Sequence, residues 1–288
     1  MIHISVVAKA SSRRPRSIAC LLALLLLRIV PAVSDETPSK AALTTSLGLS
    51  AMVFNYAEYG DNGRLLDYEH GVMPGVMADV SRSQGDWFVT GKLNYFSGMV
   101  LYDGQTQSGM PVITHTDENI LDLFLQVGRR FRPTGHIGYT LYAGVGQHRW
   151  NRDIRSTTTV QGLTEYYRWQ YAALGAMAIL HETNRSRWEM NLRWQRVLDP
   201  QLDVDFRGAF DSLQLALGER AGFYFSVPWA RRLSDRSQLV IEPFYERWEL
   251  GRSANSDLTT QGNVVGAVFE PQSVTNNRGI TVSIRTSY

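Results

Sequence analysis

RWEMNLRWQR, residues 187–196, alternates large apolar and polar side chains without a break. In an extended strand successive side chains point to opposite faces. Trp188, Met190, Leu192 and Trp194 then share one face, and Arg187, Glu189, Asn191, Arg193 and Gln195 share the other. A strand of a soluble sandwich also alternates, but it buries Val and Ile and leaves its polar face in water. Here an apolar face with Trp at both ends lies back to back with a ladder of charge. Trp188 and Trp194 are separated by about 20 Å along a strand, or about 15 Å of depth at a barrel tilt of about 40°. Indole rings favour the headgroup level of a bilayer. The two rings therefore mark the inner parts of an apolar band about 25 Å tall, and the charged ladder points into a lumen.

Nine further segments show the pattern. Residues 43–57 align Leu47, Leu49, Ala51 and Val53. Residues 66–80 align Tyr68, Val72, Val76 and Ala78 against Asp67, Glu69 and Asp79. Residues 87–101 align Trp87, Val89, Leu93, Tyr95, Met99 and Leu101. Residues 119–131 set Leu121, Leu123, Leu125, Val127 and Phe131 against Asp122, Gln126 and Arg130, with Glu118 just before. Residues 137–149 set Ile137, Tyr139, Leu141, Ala143 and Val145 against Thr140, Gly144, Gly146 and His148. Residues 163–179 present Tyr167, Trp169, Tyr171, Met177 and Ile179 outward, which places Arg168 inward. Residues 213–229 present Leu213, Leu215, Leu217, Phe223, Phe225, Val227 and Trp229. Residues 238–250 are interrupted by Pro243, where a bulge would switch the apolar face. Residues 278–288 align Ile280, Val282, Ile284 and Tyr288.

The connections between these segments alternate in length. SRSQG, RPTG, ETNRS and ARRLSDRS are short and polar, whereas the links containing EYGDNGRL, YDGQTQSGMPVITHTDE, NRDIRSTTTVQG, LDPQLDVDFRGAFDS and residues 251–277 are longer. An even number of strands with tight turns at one end and long loops at the other is the pattern of an outer-membrane barrel. The reading is an all-β, antiparallel up-and-down transmembrane barrel of about ten strands, within a range of about 8–12. The aromatics give an independent check. Trp87, Phe131, Tyr139, Trp188, Trp229 and Tyr288 fall near the short-turn end, and Tyr167, Trp169, Trp194 and Tyr245 fall near the long-loop end, as two interfacial belts require.

The N-terminus fits export. Lys9, Arg13, Arg14 and Arg16 precede the apolar run 18–27, and PAVSDETPSK follows. This is the order of a signal peptide, and a run of about ten residues is too short to span a bilayer that needs about twenty. Cleavage is expected after Ser34, leaving residues 35–288 as one barrel domain. Five of the 29 Lys+Arg and none of the 27 Asp+Glu precede Ser34, so a chain cut there carries net charge −3. Nothing in that balance points to nucleic acid. The single cysteine, Cys20, lies in the leader, so the exported part would have no disulfide.

On these residues the chain resembles the small Gram-negative outer-membrane β-barrel proteins, including those grouped as porin family proteins, over about residues 40–288. The last strand, GITVSIRTSY, alternates and ends on the aromatic Tyr288; IEPFYERW and FEPQSVTNNRGI are similar to late-strand segments of that group. The resemblance implies an outer-membrane location and recognition of the C-terminal strand by the barrel assembly machinery. The favoured last residue there is Phe, from which Tyr288 departs. It implies no chemistry.

The inward faces hold charge of both signs. Lumen-lining candidates are Asp67, Glu69, Lys92, Asp122, Arg130, Arg168, Arg187, Glu189, Arg193, Arg220, Glu242 and Arg285. Arg pairs well with carboxylates because its planar fork offers two hydrogen bonds. Eight strands are just filled by side chains and open channels need about sixteen, so a lumen of about ten should be narrow and largely occluded. A narrow pore is the rival. An enzymatic reading rests on His115 and Asp117 at the outer mouth and on His148, with Asp67 and Glu69 as a facing acidic pair, in the manner of omptin-type proteases. No segment matches an omptin motif, and no His-x-Ser of a lipid A deacylase follows the leader. The five histidines after the leader are scattered without metal-ligand spacing, and no cofactor is expected. Long outer loops at 103–116 and 251–277 leave surface recognition as a further reading. The expectation is a non-enzymatic, small porin-like or structural envelope protein.

Overall fold

The computed structural model describes residues 3–4, 42–106, 109–134 and 137–288. Apart from His3–Ile4, the expected leader lies outside the described residues. Among the described residues there are fifteen strands and no helix: β1 (His3–Ile4), β2 (Ala42–Tyr59), β3 (Leu65–Gln84), β4 (Trp87–Gln105), β5 (Pro111–Thr134), β6 (Ile137–Ile154), β7 (Leu163–Glu182), β8 (Ser186–Asp205), β9 (Leu213–Ala216), β10 (Ala221–Ser226), β11 (Trp229–Arg232), β12 (Ser237–Leu250), β13 (Ser256–Thr260), β14 (Asn263–Phe269) and β15 (Gln272–Ser287).

Each strand from β2 to β8 pairs antiparallel with the next. One composite stave follows: β8 pairs in turn with β9, β10 and β11, and β10 and β11 pair with β12. Pairing of β12 with β15 and of β15 with β2 closes the sheet. The result is a closed antiparallel barrel of ten staves. β13 and β14 form a separate hairpin, to which β1 adds.

The period-two pattern holds where it is strongest. Leu47 and Leu49 are 71% and 72% exposed on the outer wall, and Val72, Leu123, Leu141, Leu192 and Ile284 also face outward. The strand opened by Arg187 behaves as read: Trp188, Met190, Leu192 and Trp194 are exposed, while Arg193 and Gln195 are buried. At the short-turn end Trp188 packs on Trp229 with ring centroids 6.1 Å apart, and Phe131 stacks on Tyr139 at 4.9 Å. Arg129 lies over Trp87 at 5.8 Å, and Tyr288 is exposed.

Four expectations are corrected. The staves are longer than the apolar pattern, at 18 to 24 residues for β2 to β8. About 20 residues span about 50 Å of height at barrel tilt, twice an apolar band. Much of the sequence read as long loops is therefore ladder standing above that band, and the β2–β3 connection shrinks to residues 60–64. Second, β7 faces the other way. Tyr167 and Trp169 are 1% and 3% exposed in the lumen, and Arg168 points out, paired with Asp203. The outward residues of β7 in the band are Ala172, Leu174, Ala176 and Ala178. Big rings fill a narrow lumen as well as they mark an interface. Gly146, opposite Tyr171, leaves that ring its place: a Cβ there would collide with it.

Third, the stave at 213–229 is broken. Leu215 and Leu217 are buried, Pro228 separates β10 from β11, and Arg220 lies exposed in the link before β10 instead of on a lumen face. Fourth, β12 runs past Pro243 in unbroken register with β15, so its face does not switch. The irregularity falls on its other neighbour, where Val227 N–H reaches the Pro243 carbonyl.

Candidate functional site

Three levels of side chains cross the lumen. In the lower lumen, the Tyr224 hydroxyl donates to Glu242 at 2.7 Å, and Lys92 lies 5.9 Å from the same ring. Arg285 lies within electrostatic reach of Asp79 and Glu242. Arg187 pairs with Glu189 at 3.1 Å, and Arg130 lies over Phe88. Phe96 on β4 meets Phe244 on β12, four staves round the barrel, at 6.4 Å.

At mid-height His148 Nδ1 lies 3.2 Å from Asp122, and the Tyr171 hydroxyl donates to Asp122 at 3.0 Å. His148 stacks on Trp169 at 4.1 Å, and Trp248 reaches across to Tyr171 at 5.0 Å and His148 at 5.5 Å. Arg193 pairs with Glu246 at 3.4 Å and lies 4.5 Å from the Phe124 ring. The cavity left among these groups measures about 40 Å³ and is lined by Lys92, Asp122, His148, Arg193 and Glu246 among others. A polar space of this size suits ordered water rather than a solute.

The upper level is a chamber of carboxylates. Glu58, Asp67, Glu69, Glu118, Glu165 and Glu270 are each at most 1% exposed. Arg152 sits among them, 2.7 Å from Glu165, 3.0 Å from Glu69, 3.4 Å from Glu58 and 3.7 Å from Glu118. Its guanidinium lies 4.3 Å from the Tyr56 ring centroid. Neutral donors complete the shell: Tyr56 to Glu58, Thr116 to Glu69, Trp150 to Glu118, and Tyr167 to Glu270. Tyr56 on β2 and Trp150 on β6, four staves round, meet at 5.0 Å. Glu270 lies outside the strands, between β14 and β15. Burial, with Glu58 and Glu165 nearby, pushes its pKa well above the ordinary carboxyl value.

Above the chamber lies the β13–β14 hairpin. Leu258 and Val268 are buried and belong to the same core cluster as Tyr56, Trp150 and Tyr167. Gln261 and Gly262 both have positive φ, the requirement of a two-residue type I′ turn. Asp211, in the β8–β9 link, accepts from Gly262 N–H at 2.9 Å, Gln261 N–H at 3.1 Å and the Thr259 hydroxyl at 2.7 Å. Those donors hold its carboxyl below the usual range, the Gly262 N–H foremost.

Ten of the twelve lumen candidates face the lumen, Arg168 and Arg220 being the exceptions. His115 is exposed, and Asp117 lies on the outward face of β5, held in a two-bond pair by Arg155 at 2.7 and 2.8 Å. Neither joins His148. Four chamber residues escaped the reading: Arg152, Glu58, Glu165 and Glu270. A signal existed for two of them, since extending the inward parity of β6 past His148 reaches Arg152, and that of β2 past Phe54 reaches Glu58. Among the described residues no group of three or more His, Cys, Asp or Glu could hold a metal ion.

No protein-family model matches the sequence, and no curated protein matches it. Solved structures do. The outer membrane protease OmpT from Escherichia coli aligns with TM-score 0.61 at 11% identity, covering 89% of this chain and 99% of that one. The translocator domain of the autotransporter NalP from Neisseria meningitidis aligns at 0.41 and 11% identity, covering 88% and 89%. The toluene transporter TodX from Pseudomonas putida aligns at 0.37 and 9% identity, covering 85% and 89%. At such identities the likeness is one of fold: the chain has the architecture of Gram-negative outer-membrane β-barrels.

Proposed function

We propose that this protein is an integral outer-membrane barrel, exported by a leader cleaved near Ser34, that serves as a structural envelope component and carries no solute. The observation that supports this most is contact across the lumen. Side chains from staves three to five positions apart touch at every level, among them Phe96 with Phe244, Trp248 with Tyr171, and Tyr56 with Tyr167. A lumen so filled is a polar and aromatic core, as expected for about ten strands. The non-enzymatic reading is favoured by the placement of the histidines. His148 is buried against Asp122 with only a water-sized space beside it, and His115 lies on the outer wall. The barrel is embedded in outer-membrane lipid through its apolar band, and the strand ending at Tyr288 is its signal to the assembly machinery. Liposomes carrying the folded protein should not swell in small sugars, whereas swelling above that of protein-free vesicles would refute the solute-tight reading.

A second reading has its own observation. The outer end exposes Met110, Ile113, Val264 and Val265, each at least 55% accessible. Apolar side chains above the band favour surface recognition. Charged replacements at these four positions should then reduce cell attachment while leaving the fold unchanged, and unchanged attachment would dismiss it.

A further inference from the structure

The β13–β14 hairpin covers the carboxylate chamber without being part of the wall. Among the described residues its ladder partners are its own two strands and β1, and none is a barrel stave. Beyond that pairing it is tied at two places. At its neck Ser253 and Glu270 face each other: Ser253 N–H donates to the Glu270 carbonyl at 2.9 Å, and Glu270 N–H donates to Ser253 Oγ at 2.8 Å. At its tip Asp211 gathers Gly262, Gln261 and Thr259, and Asp211 N–H donates back to the Thr259 carbonyl at 2.9 Å. Between the two ties the inner face, Leu258 and Val268, rests on the chamber roof, while Val264 and Val265 on the outer side are open.

We propose that the β13–β14 hairpin is a hinged lid, turning about the Ser253–Glu270 neck and held shut over the Arg152 chamber by the Asp211 clasp. A segment joined to the wall by a ladder opens only when the stave unzips. This one needs to lose the hydrogen bonds of one residue, the carboxylate and the backbone N–H of Asp211, and the contacts of a few apolar side chains; β1, which among the described residues pairs with β14 alone, moves with it. Such weakly tied units are the ones that open locally while the rest of a fold stays intact. Opening exposes the chamber to the outside and leaves the mid-lumen contacts of Trp248 and Tyr171 in place, so the lid gates access to the chamber and not passage through the barrel.

The test uses the full chain with Cys20→Ser and one reporter thiol. Thr116 is fully buried in the chamber wall, and Thr281 is buried lower in the lumen, beside the water-sized cavity. With a charged, membrane-impermeant maleimide, Thr116→Cys should label slowly, and adding Asp211→Ala should accelerate labelling at least about tenfold, as expected for a local opening equilibrium. Thr281→Cys should stay protected in both backgrounds. Equal rates at Thr116→Cys with and without the clasp would overturn the lid. So would a parallel rise at Thr281→Cys, which would mean that the whole barrel had loosened. If Asp211→Ala does not fold, Thr259→Val removes one donor of the clasp and no charge. Faster labelling of Thr116→Cys in that background supports the lid, and an unchanged rate refutes it.

Discussion

Arg152→Met keeps a long unbranched side chain in the chamber and removes its charge. The guanidinium lies 2.7 to 3.7 Å from four carboxylates, and none of the five side chains is more than 1% exposed. Each contact taken alone is worth about 4 kcal/mol at 4 Å with an effective dielectric of about 20. Those terms do not add, because withdrawing all five groups from water opposes them. What the variant loses is the neutralising partner, and removing one member of a buried pair costs about 3–5 kcal/mol. The carboxylates can relieve their repulsion only by taking up protons, so the loss is full in mild alkali and shrinks as the pH falls. Urea unfolding in detergent micelles, followed by tryptophan fluorescence, should show a loss of about 3–5 kcal/mol at pH 8 and a clearly smaller one at pH 5. A loss below about 1 kcal/mol at pH 8, the range of an exposed pair, would refute the reasoning. An equal loss at both pH values would refute it too.

Three other outcomes follow from the same structure. Gly146→Val places a branched side chain where the Tyr171 ring lies, and that ring is backed by Phe124 and Trp248; overpacking of about 1–3 kcal/mol should appear as a lower urea midpoint with unchanged slope. Leu49→Arg, on the outer wall in the band, should cost about 2–4 kcal/mol in refolding into vesicles, whereas Gln147→Arg, which faces outward above the band, should cost about 0–1 kcal/mol; equal costs would place the band wrongly. Glu270 has a raised pKa when folded, so its contribution to stability is whole below its ordinary value of 4.5 and is lost as the pH rises through the raised one. Glu270→Gln should therefore flatten the pH dependence of amide exchange in the hairpin above pH 4.5, and a dependence as steep as the wild type's would refute a stabilising role for the protonated Glu270.

How much could be read from the sequence depended on height in the barrel. Within the apolar band two unlike neighbours, lipid and lumen, act on alternate residues, so RWEMNLRWQR and GITVSIRTSY could be assigned residue by residue. Above the band both faces tolerate polar and aromatic side chains, and alternation no longer says which way a residue points. That is why Tyr167 and Trp169 read as an interfacial belt when they are core, and why Arg152 read as a loop residue. Inward parity carries through β6 from His148 to Trp150 and Arg152 without any change in composition to announce it. The break at Pro228 and the β13–β14 hairpin were hidden for another reason. Both depend on which distant segment pairs with which, and local pattern holds no record of that. Pro243 was the visible irregularity, yet the ladder gives way on the strand beside it.

If the charged ladder is a sealed core, no ion path runs through the barrel. Single-channel recording of the folded protein in a planar bilayer, over a range of salt, tests it most directly. Silence is expected from the wild type, and conductance steps only when the cross-lumen contacts are removed, as in Tyr171→Ala with Trp248→Ala. Reproducible steps from the wild type that change with Arg187→Ala or Arg193→Ala would contradict it and make the ladder a path for ions.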